Sequence, residues 1–325
     1  MDLKELPVTA VKPSRVMRLM HRVLPLERKL FPLVDGYGNG PGLLSVPWGD
    51  FRLHFPRKWL AHVCDAVYKG PHENNPEFFE ILAPLVPELE AGTIVDVGAA
   101  IGVYILNFRA LTNAPIIGYE PSPLAFQLAD YNVRSNHLSG IKLKHVACGD
   151  TQGQVELNVG INSFINCGDS SERETHSEHG FEPSSRRYRP DDEVVSVPSV
   201  RLDDEFDSAG PVRLLKIDCE GFEYQILSGA AEILRKWRPH LFIELHPQDI
   251  GNYGHSVGEV CELLEPNYDL DFWDYGRSER SASRRVRFFG RYSQRGHRFK
   301  DKAAMMEAMA QPCKPSQMFL LGRPK

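Results

Sequence analysis

From residue 76 onward, short apolar runs alternate with segments of helical spacing, the pattern of a parallel sheet covered by helices on both faces. TIVDVGA (93–99) is a compact β-branched run ending in glycine, VYILNFRAL (103–111) has helical periodicity, and PIIGYEP (115–121) reads as a second strand. PLAFQLADYNVRSN (123–136) supplies the next helix and IKLKHVACG (141–149) a third strand. After QVELNV (154–159) comes a polar stretch, 160–193, that reads as a long loop; VVSVPSVRL (194–202) is expected to return the chain to the sheet. VRLLKID (212–218) and HLFIELH (240–246) predict a fourth and a fifth strand, joined by one helix, YQILSGAAEILRKW (224–237). YDLDFWDYG (268–276) and QMFLLGR (317–323) predict two closing strands.

Ahead of this domain, residues 14–31 space Val16, Leu19, Met20 and Val23 near one helical face with arginines between them, which reads as a lead-in helix packed on the domain. Leu43 to Phe55 alternates and predicts a small hairpin. The expected division is an extension over 1–75 and an α/β domain over 76–325.

Composition narrows the class. The chain has 325 residues, 42% apolar and 25% charged, with a net charge of −5, so wholesale disorder and a general field for nucleic acid are both excluded. Six dispersed cysteines (Cys64, Cys148, Cys167, Cys219, Cys261, Cys313) show no zinc spacing and read as reduced thiols. No run reaches the ~18 apolar residues of a membrane span, and no secretory signal opens the chain, so a cytoplasmic location is expected. Residues 277–302 hold ten Arg or Lys against two acids. That insert supports one alternative, a non-catalytic module binding an acidic polymer or nucleic acid; the working expectation is a small-molecule or glycan partner and no nucleic acid.

Three groups of residues carry chemistry. The first is Asp96-Val97-Gly98-Ala99-Ala100-Ile101-Gly102, where a strand hands over to a helix and free N–H groups can meet a ligand. Its glycines stand as G-x-x-x-G, which is not the dinucleotide fingerprint. Glu120 follows 22 residues after Gly98, at the spacing where a carboxylate accepts ribose hydroxyls. Asp96 would repel pyrophosphate but suits an ammonium group, so a nucleoside bearing an amino acid, S-adenosylmethionine, fits better. The second group is Lys216-Ile217-Asp218-Cys219-Glu220-Gly221-Phe222-Glu223 at a strand end, with Asp218 and Glu220 expected in the same crevice and Glu223 read as a first-turn helix residue. The third is Glu244 and His246 at the next strand end, His246 being either a general base or a structural histidine.

Asp96-x-Gly-x-x-x-Gly102, Tyr119-Glu120-Pro121, Val200-x-Leu202-Asp203-Asp204, Ile217-Asp218-Cys219-Glu220-Gly221-Phe222-Glu223 and Gly229-Ala230 together resemble the FkbM family of S-adenosylmethionine-dependent methyltransferases over roughly residues 75–247. The resemblance implies the class I methyltransferase fold, a Rossmann-like seven-stranded sheet whose last strand is antiparallel, and methylation of a hydroxyl on a sugar, glycan or secondary metabolite. It also implies that Asp96, Gly98, Ala99 and Gly102 frame the methionine end, Glu120 the ribose and Ala147 to Asp150 the adenine edge, with Asp218 near the sulfonium. The family often has Asn where this chain has Ala100. Asp218, Glu220 or His246 would act as the base or orient the acceptor, Asp218 first, with no metal in the working expectation and a divalent cation on the same acids as the variant a chelator would reveal.

Overall fold

The computed structural model describes residues 3–11, 41–59, 70–159, 164–165, 193–206, 211–275, 296–311 and 317–325. The expected helix over 14–31, nearly all of the loop over 160–193 and most of the basic insert, residues 277–295, lie outside the described residues.

The β-branched runs form the centre of the main sheet, as apolar parallel strands must when both faces are covered. β4 (Thr93–Val97), β5 (Ile116–Tyr119), β6 (Ile141–Lys144), β11 (Val212–Ile217) and β12 (His240–Leu245) pair in parallel. β15 (Met318–Pro324) runs antiparallel between β12 and β13 (Tyr268–Asp274). The resulting order β6-β5-β4-β11-β12-β15-β13 is the seven-stranded class I methyltransferase sheet with its last strand reversed. A two-residue strand, β14 (His297–Arg298), adds an eighth member at the β13 edge.

Alternation along the strands builds a core on each face. Leu214, Phe242 and Phe319 pack against Ile105 and Phe108 of α1 (Val103–Arg109), with the Phe242 and Phe319 rings stacked at 5.2 Å. Leu215, Ile217 and Ile243 face the other way, against Ile226, Leu227 and Val260. Among the described residues, no helix is long and apolar enough to cross a membrane.

Three sequence expectations are corrected. IKLKHVACG is two strands, because the chain turns at His145, whose ring stacks on Phe126 and whose Nε2 lies 3.0 Å from the Pro121 carbonyl. The second piece, β7 (Ala147–Cys148), leaves the main sheet. VVSVPSVRL does not return to that sheet either; as β10 (Glu193–Val200) it pairs with β7 and, antiparallel, with β8 (Gly153–Val159) in a separate four-stranded sheet completed by β9 (Phe164–Ile165). Finally, the segment 224–237 is two helices, α3 (Glu223–Ser228) and α4 (Ala231–Trp237), beyond α2 (Pro123–Ser135). Gly229 is the position where only glycine fits, since a Cβ there would lie 1.9 Å from the Gly149 carbonyl oxygen, and the run breaks at Ala230, which leaves the helical region at φ −115°. The Asp203 carboxylate then accepts the Glu232 and Ile233 N–H groups at 3.0 Å each and starts α4 afresh.

The N-terminal hairpin, β2 (Leu43–Trp48) and β3 (Phe51–Pro56), carries β1 (Val8–Ala10) on its edge and packs Trp48 and Phe55 toward Leu106 and Leu128. It is also bolted on by polar groups. Asn132 of α2, fully buried, accepts the His54 N–H at 2.7 Å and donates to the carbonyls of His54 and Ile101 at 3.0 and 2.9 Å. Replacing Asn132 by Leu strands these backbone groups in the interior and is expected to lower the unfolding free energy by roughly 2–4 kcal/mol. Thermal denaturation measures this; an unchanged melting temperature would show that apolar packing alone holds the hairpin.

Candidate functional site

The site lies outside the C-terminal ends of β4, β5, β11 and β12, where an open α/β sheet leaves a crevice at its reversal of strand order. Its base is a buried ion pair. Lys216 and Asp96 are register partners on adjacent strands, and Lys216 Nζ lies 2.9 Å from Asp96 Oδ1 with both side chains withdrawn from solvent. The same ammonium donates to the Gly98 carbonyl at 2.9 Å and lies 3.8 Å from Asp218. Burial pulls the Lys216 pKa down, but Asp96 and then Asp218 outweigh it and the net shift is upward, so the lysine stays charged. Asp96 therefore meets an ammonium group supplied by the chain itself, and it is not on the wall of the cavity.

That cavity, of about 190 Å³, is lined by Gly98, Ala100 and Glu120, by Ala147, Cys148 and Phe222, and by Asp218 and Glu220. Gly98 has φ +77°, and a Cβ there would lie 1.9 Å from the Asp218 carbonyl oxygen, so only glycine lets the loop and the β11 end come together. Ala100 is also left-handed, at φ 47°, and its N–H donates to Glu120 Oε2 at 2.8 Å. Glu120 Oε1 accepts the Ser122 N–H at 2.7 Å. Both carboxylate oxygens are thus oriented by backbone donors at the cavity wall, while burial pushes the Glu120 pKa up to about 7. Ala99 is buried behind the wall with its N–H on the Tyr119 carbonyl, and Gly102 caps α1 at φ 87°. Asp150 is exposed and lies off the wall, so only Ala147 and Cys148 of the expected 147–150 edge border the cavity.

Beyond Asp218 the crevice becomes a cluster of acids around one histidine. His246 Nδ1 lies 2.6 Å from Glu223 Oε1, and its Nε2 faces Asp218 Oδ1 at 3.7 Å and Glu220 Oε2 at 3.8 Å. Glu223 is fully buried and also accepts the Gly221 N–H at 3.1 Å. Burial would lower the His246 pKa, yet Glu223 and the neighbouring acids raise it well above its usual value. Burial, then the His246 and Asp218 charges acting in opposite directions, leave Glu220 at about 7. Glu244, beside them, is raised well above the carboxylate range by burial and by Asp218. One donor atom from each of Asp218, Glu244 and His246 lies within 4.8 Å of the others.

The structure brings together Gly98, Glu120, Ala147, Asp218, Glu220 and His246, and it adds two residues to which the sequence reading gave no part in the site. Glu223 holds the histidine, although its spacing after Asp218 and Glu220 suits a first helical turn equally well. Lys216 is the other, and a signal for it exists: a lysine among the apolar residues that end VRLLKI and an aspartate inside TIVDV are charges at positions of buried strands, which are tolerated when they pair.

Comparison with known proteins follows the same lines. The family model described as the methyltransferase FkbM domain matches residues 96–275. The methyltransferase sdnD of Sordaria araneosa is 27% identical over 173 residues, covering 45% of this chain and 66% of that protein, so the chain spans a little under two thirds of its length. Among solved structures, methyltransferase FkbM from Methylobacillus flagellatus is 19% identical, with a TM-score of 0.34 over 56% of this chain and 39% of that one. An rRNA methylase from Streptococcus thermophilus is 9% identical, with a TM-score of 0.40 over 76% of this chain and 96% of that one. These superpositions are distant, and it is the chain's own strand order that carries the fold.

The Glu120 carboxylate yields a signed prediction. Burial raises its pKa to about 7, so it gains a proton as the pH falls through neutrality and loses hydrogen-bond acceptor capacity. Affinity for S-adenosylmethionine, measured by calorimetry, is expected to fall roughly tenfold from about pH 8 to about pH 6. Glu120→Gln should bind more weakly at the higher pH and show a flat profile; a steep profile in that variant would assign the titration elsewhere.

Proposed function

The chain belongs to the FkbM methyltransferase family, and from that premise we propose that it methylates a hydroxyl oxygen of a sugar, glycan or secondary-metabolite acceptor, with S-adenosylmethionine as methyl donor. The residues present fit that cofactor. Gly98 offers bare backbone where a side chain would collide, and the Glu120 carboxylate is aligned by two backbone donors beside a largely apolar wall. When bound, S-adenosylmethionine supplies an electrophilic methyl group on a positively charged sulfur.

The protein's own residues divide the remaining work. Glu120 accepts the ribose hydroxyls, and the wall at Ala147, Cys148 and Phe222 takes the adenine and excludes water. Asp218 orients the acceptor oxygen, and Glu220 receives its proton. The observation that carries this reading is the position of Asp218: it is part of the cavity wall and also stands within 4 Å of both Lys216 and His246, so it borders both halves of the crevice. A hydroxyl acceptor accounts for carboxylates at that border, because oxygen must lose a proton to be methylated.

The test is transfer of labelled methyl groups from S-adenosylmethionine to a panel of polyhydroxylated acceptors, with the products' methyl positions assigned by NMR. Asp218→Asn is expected to reduce turnover by roughly a hundredfold while cofactor affinity stays within about threefold. Label on nitrogen or carbon alone, or full turnover in the variant, would overturn the assignment.

A further inference from the structure

We propose that Asp218, Glu244 and His246 form a binding site for a divalent cation of the magnesium and manganese class, on the acceptor side of the crevice. The methyltransferase reading gives the site its purpose, while the geometry stands without it. All three residues sit at the ends of adjacent central strands. Ile217 of β11 is paired with Ile243 of β12, so Asp218 and Glu244 emerge side by side, and His246 follows two residues on. Strand ends hold side chains more rigidly than a loop does, which a three-donor site requires.

Four observations converge on a cation. The spacing comes first. Two donors bonded to one ion at about 2.1 Å stand roughly 3.0–3.7 Å apart for angles between 90° and 120°. His246 Nε2 and Asp218 Oδ1 are 3.7 Å apart, and the full donor set lies within 4.8 Å, so a small movement of one carboxylate closes it.

The second is the state in which His246 is held. Its Nδ1 faces Glu223 Oε1 at 2.6 Å, and Glu223 has no exposed surface. A carboxylate behind the ring is the usual support of a metal-binding histidine: it fixes Nδ1 as the donor, and a cation binding at Nε2 displaces the proton from that atom. Here Nε2 is turned toward Asp218.

Glu244 is the third. Its carboxylate accepts no hydrogen bond from, and forms no ion pair with, a described residue, although it is half-buried at the β12 end with an oxygen within 4.8 Å of the other two donors. An unsatisfied carboxylate in such a place is costly unless something positively charged meets it.

Fourth is the charge balance. Asp218, Glu220, Glu223 and Glu244 surround one imidazole, and the nearest ammonium, Lys216, is already engaged by Asp96 and the Gly98 carbonyl. A divalent ion supplies the counter-charge that lets these crowded acids ionise together. Two carboxylate oxygens with one imidazole nitrogen favour a hard to borderline ion, and three protein donors leave positions open for an acceptor oxygen. An acceptor hydroxyl bound there would have its pKa lowered beside Asp218, and Glu220 would take the proton.

The test uses the full chain, freed of metal with a chelator and then dialysed, and titrated with Mn²⁺ by electron paramagnetic resonance of the free ion. One site of micromolar affinity is expected. Glu244→Gln and His246→Gln should each weaken it at least tenfold, and Glu223→Gln, which alters no donor, by roughly tenfold or more. Glu232→Gln, at an exposed position outside the crevice, should leave Mn²⁺ affinity unchanged, and circular dichroism identifies any variant that fails to fold. Absence of a Mn²⁺ site in the wild-type chain, or unchanged affinity in folded Glu244→Gln and His246→Gln, overturns the proposal. Calorimetry with S-adenosylmethionine on the same samples separates the two readings: cofactor binding without Mn²⁺ binding removes the cation site alone. Mn²⁺ binding that depends on Glu244, without cofactor binding, upholds the site and removes the methyltransferase purpose.

Discussion

The contact between Lys216 and Asp96 is the constraint on which the crevice depends. Two charges withdrawn from water carry a desolvation cost of several kcal/mol each, and such a pair persists only where the partners are close and further hydrogen bonds are made. Both conditions are met: the ammonium is 2.9 Å from the Asp96 carboxylate and 2.9 Å from the Gly98 carbonyl, with the Tyr104 ring 4.8 Å away. Sliding β11 by one residue against β4 would separate the charges and place both in an apolar interior. The pair thus holds the register of the two central strands and, through the Gly98 carbonyl, ties the glycine loop to the β11 end.

From that tie the two halves of the crevice follow. On one side the loop, Glu120 and the β7 segment enclose a cavity whose carboxylate is oriented by backbone donors. On the other, Asp218 and Glu220 lead to His246 and the fully buried Glu223. Backbone strain collects along this seam. Ala100 and Glu220 both adopt left-handed conformations, at φ 47° and 51°, each costing about 1–3 kcal/mol for a residue with a side chain. Ala100 is held there by its hydrogen bond to Glu120.

Much of this was legible in the order of residues. The apolar runs TIVDV, IIGY, VRLLKI and HLFIEL became central strands because a buried parallel strand has no polar face to hide. The expected boundaries failed where a distant group intervened: at His145, which the Pro121 carbonyl and Phe126 draw out of the third strand, and at Gly229 and Ala230, where Gly149 and Asp203 divide one helix into two. In each case the local pattern was continuous and the interruption came from residues far away in the chain.

The sequence by itself determined the fold class, the glycine loop, Glu120 and the acidic strand end, because these rest on periodicity and short spacings that the backbone reads locally. Only the tertiary structure decided which charges are spent on one another. Asp96 is neutralised by a lysine 120 positions away, Glu223 turns inward to hold His246, and Glu244 forms no hydrogen bond or ion pair with a described residue. Those outcomes depend on which strands become neighbours and in what register, and in a parallel sheet neighbours are brought together by crossovers whose length carries no record of the pairing.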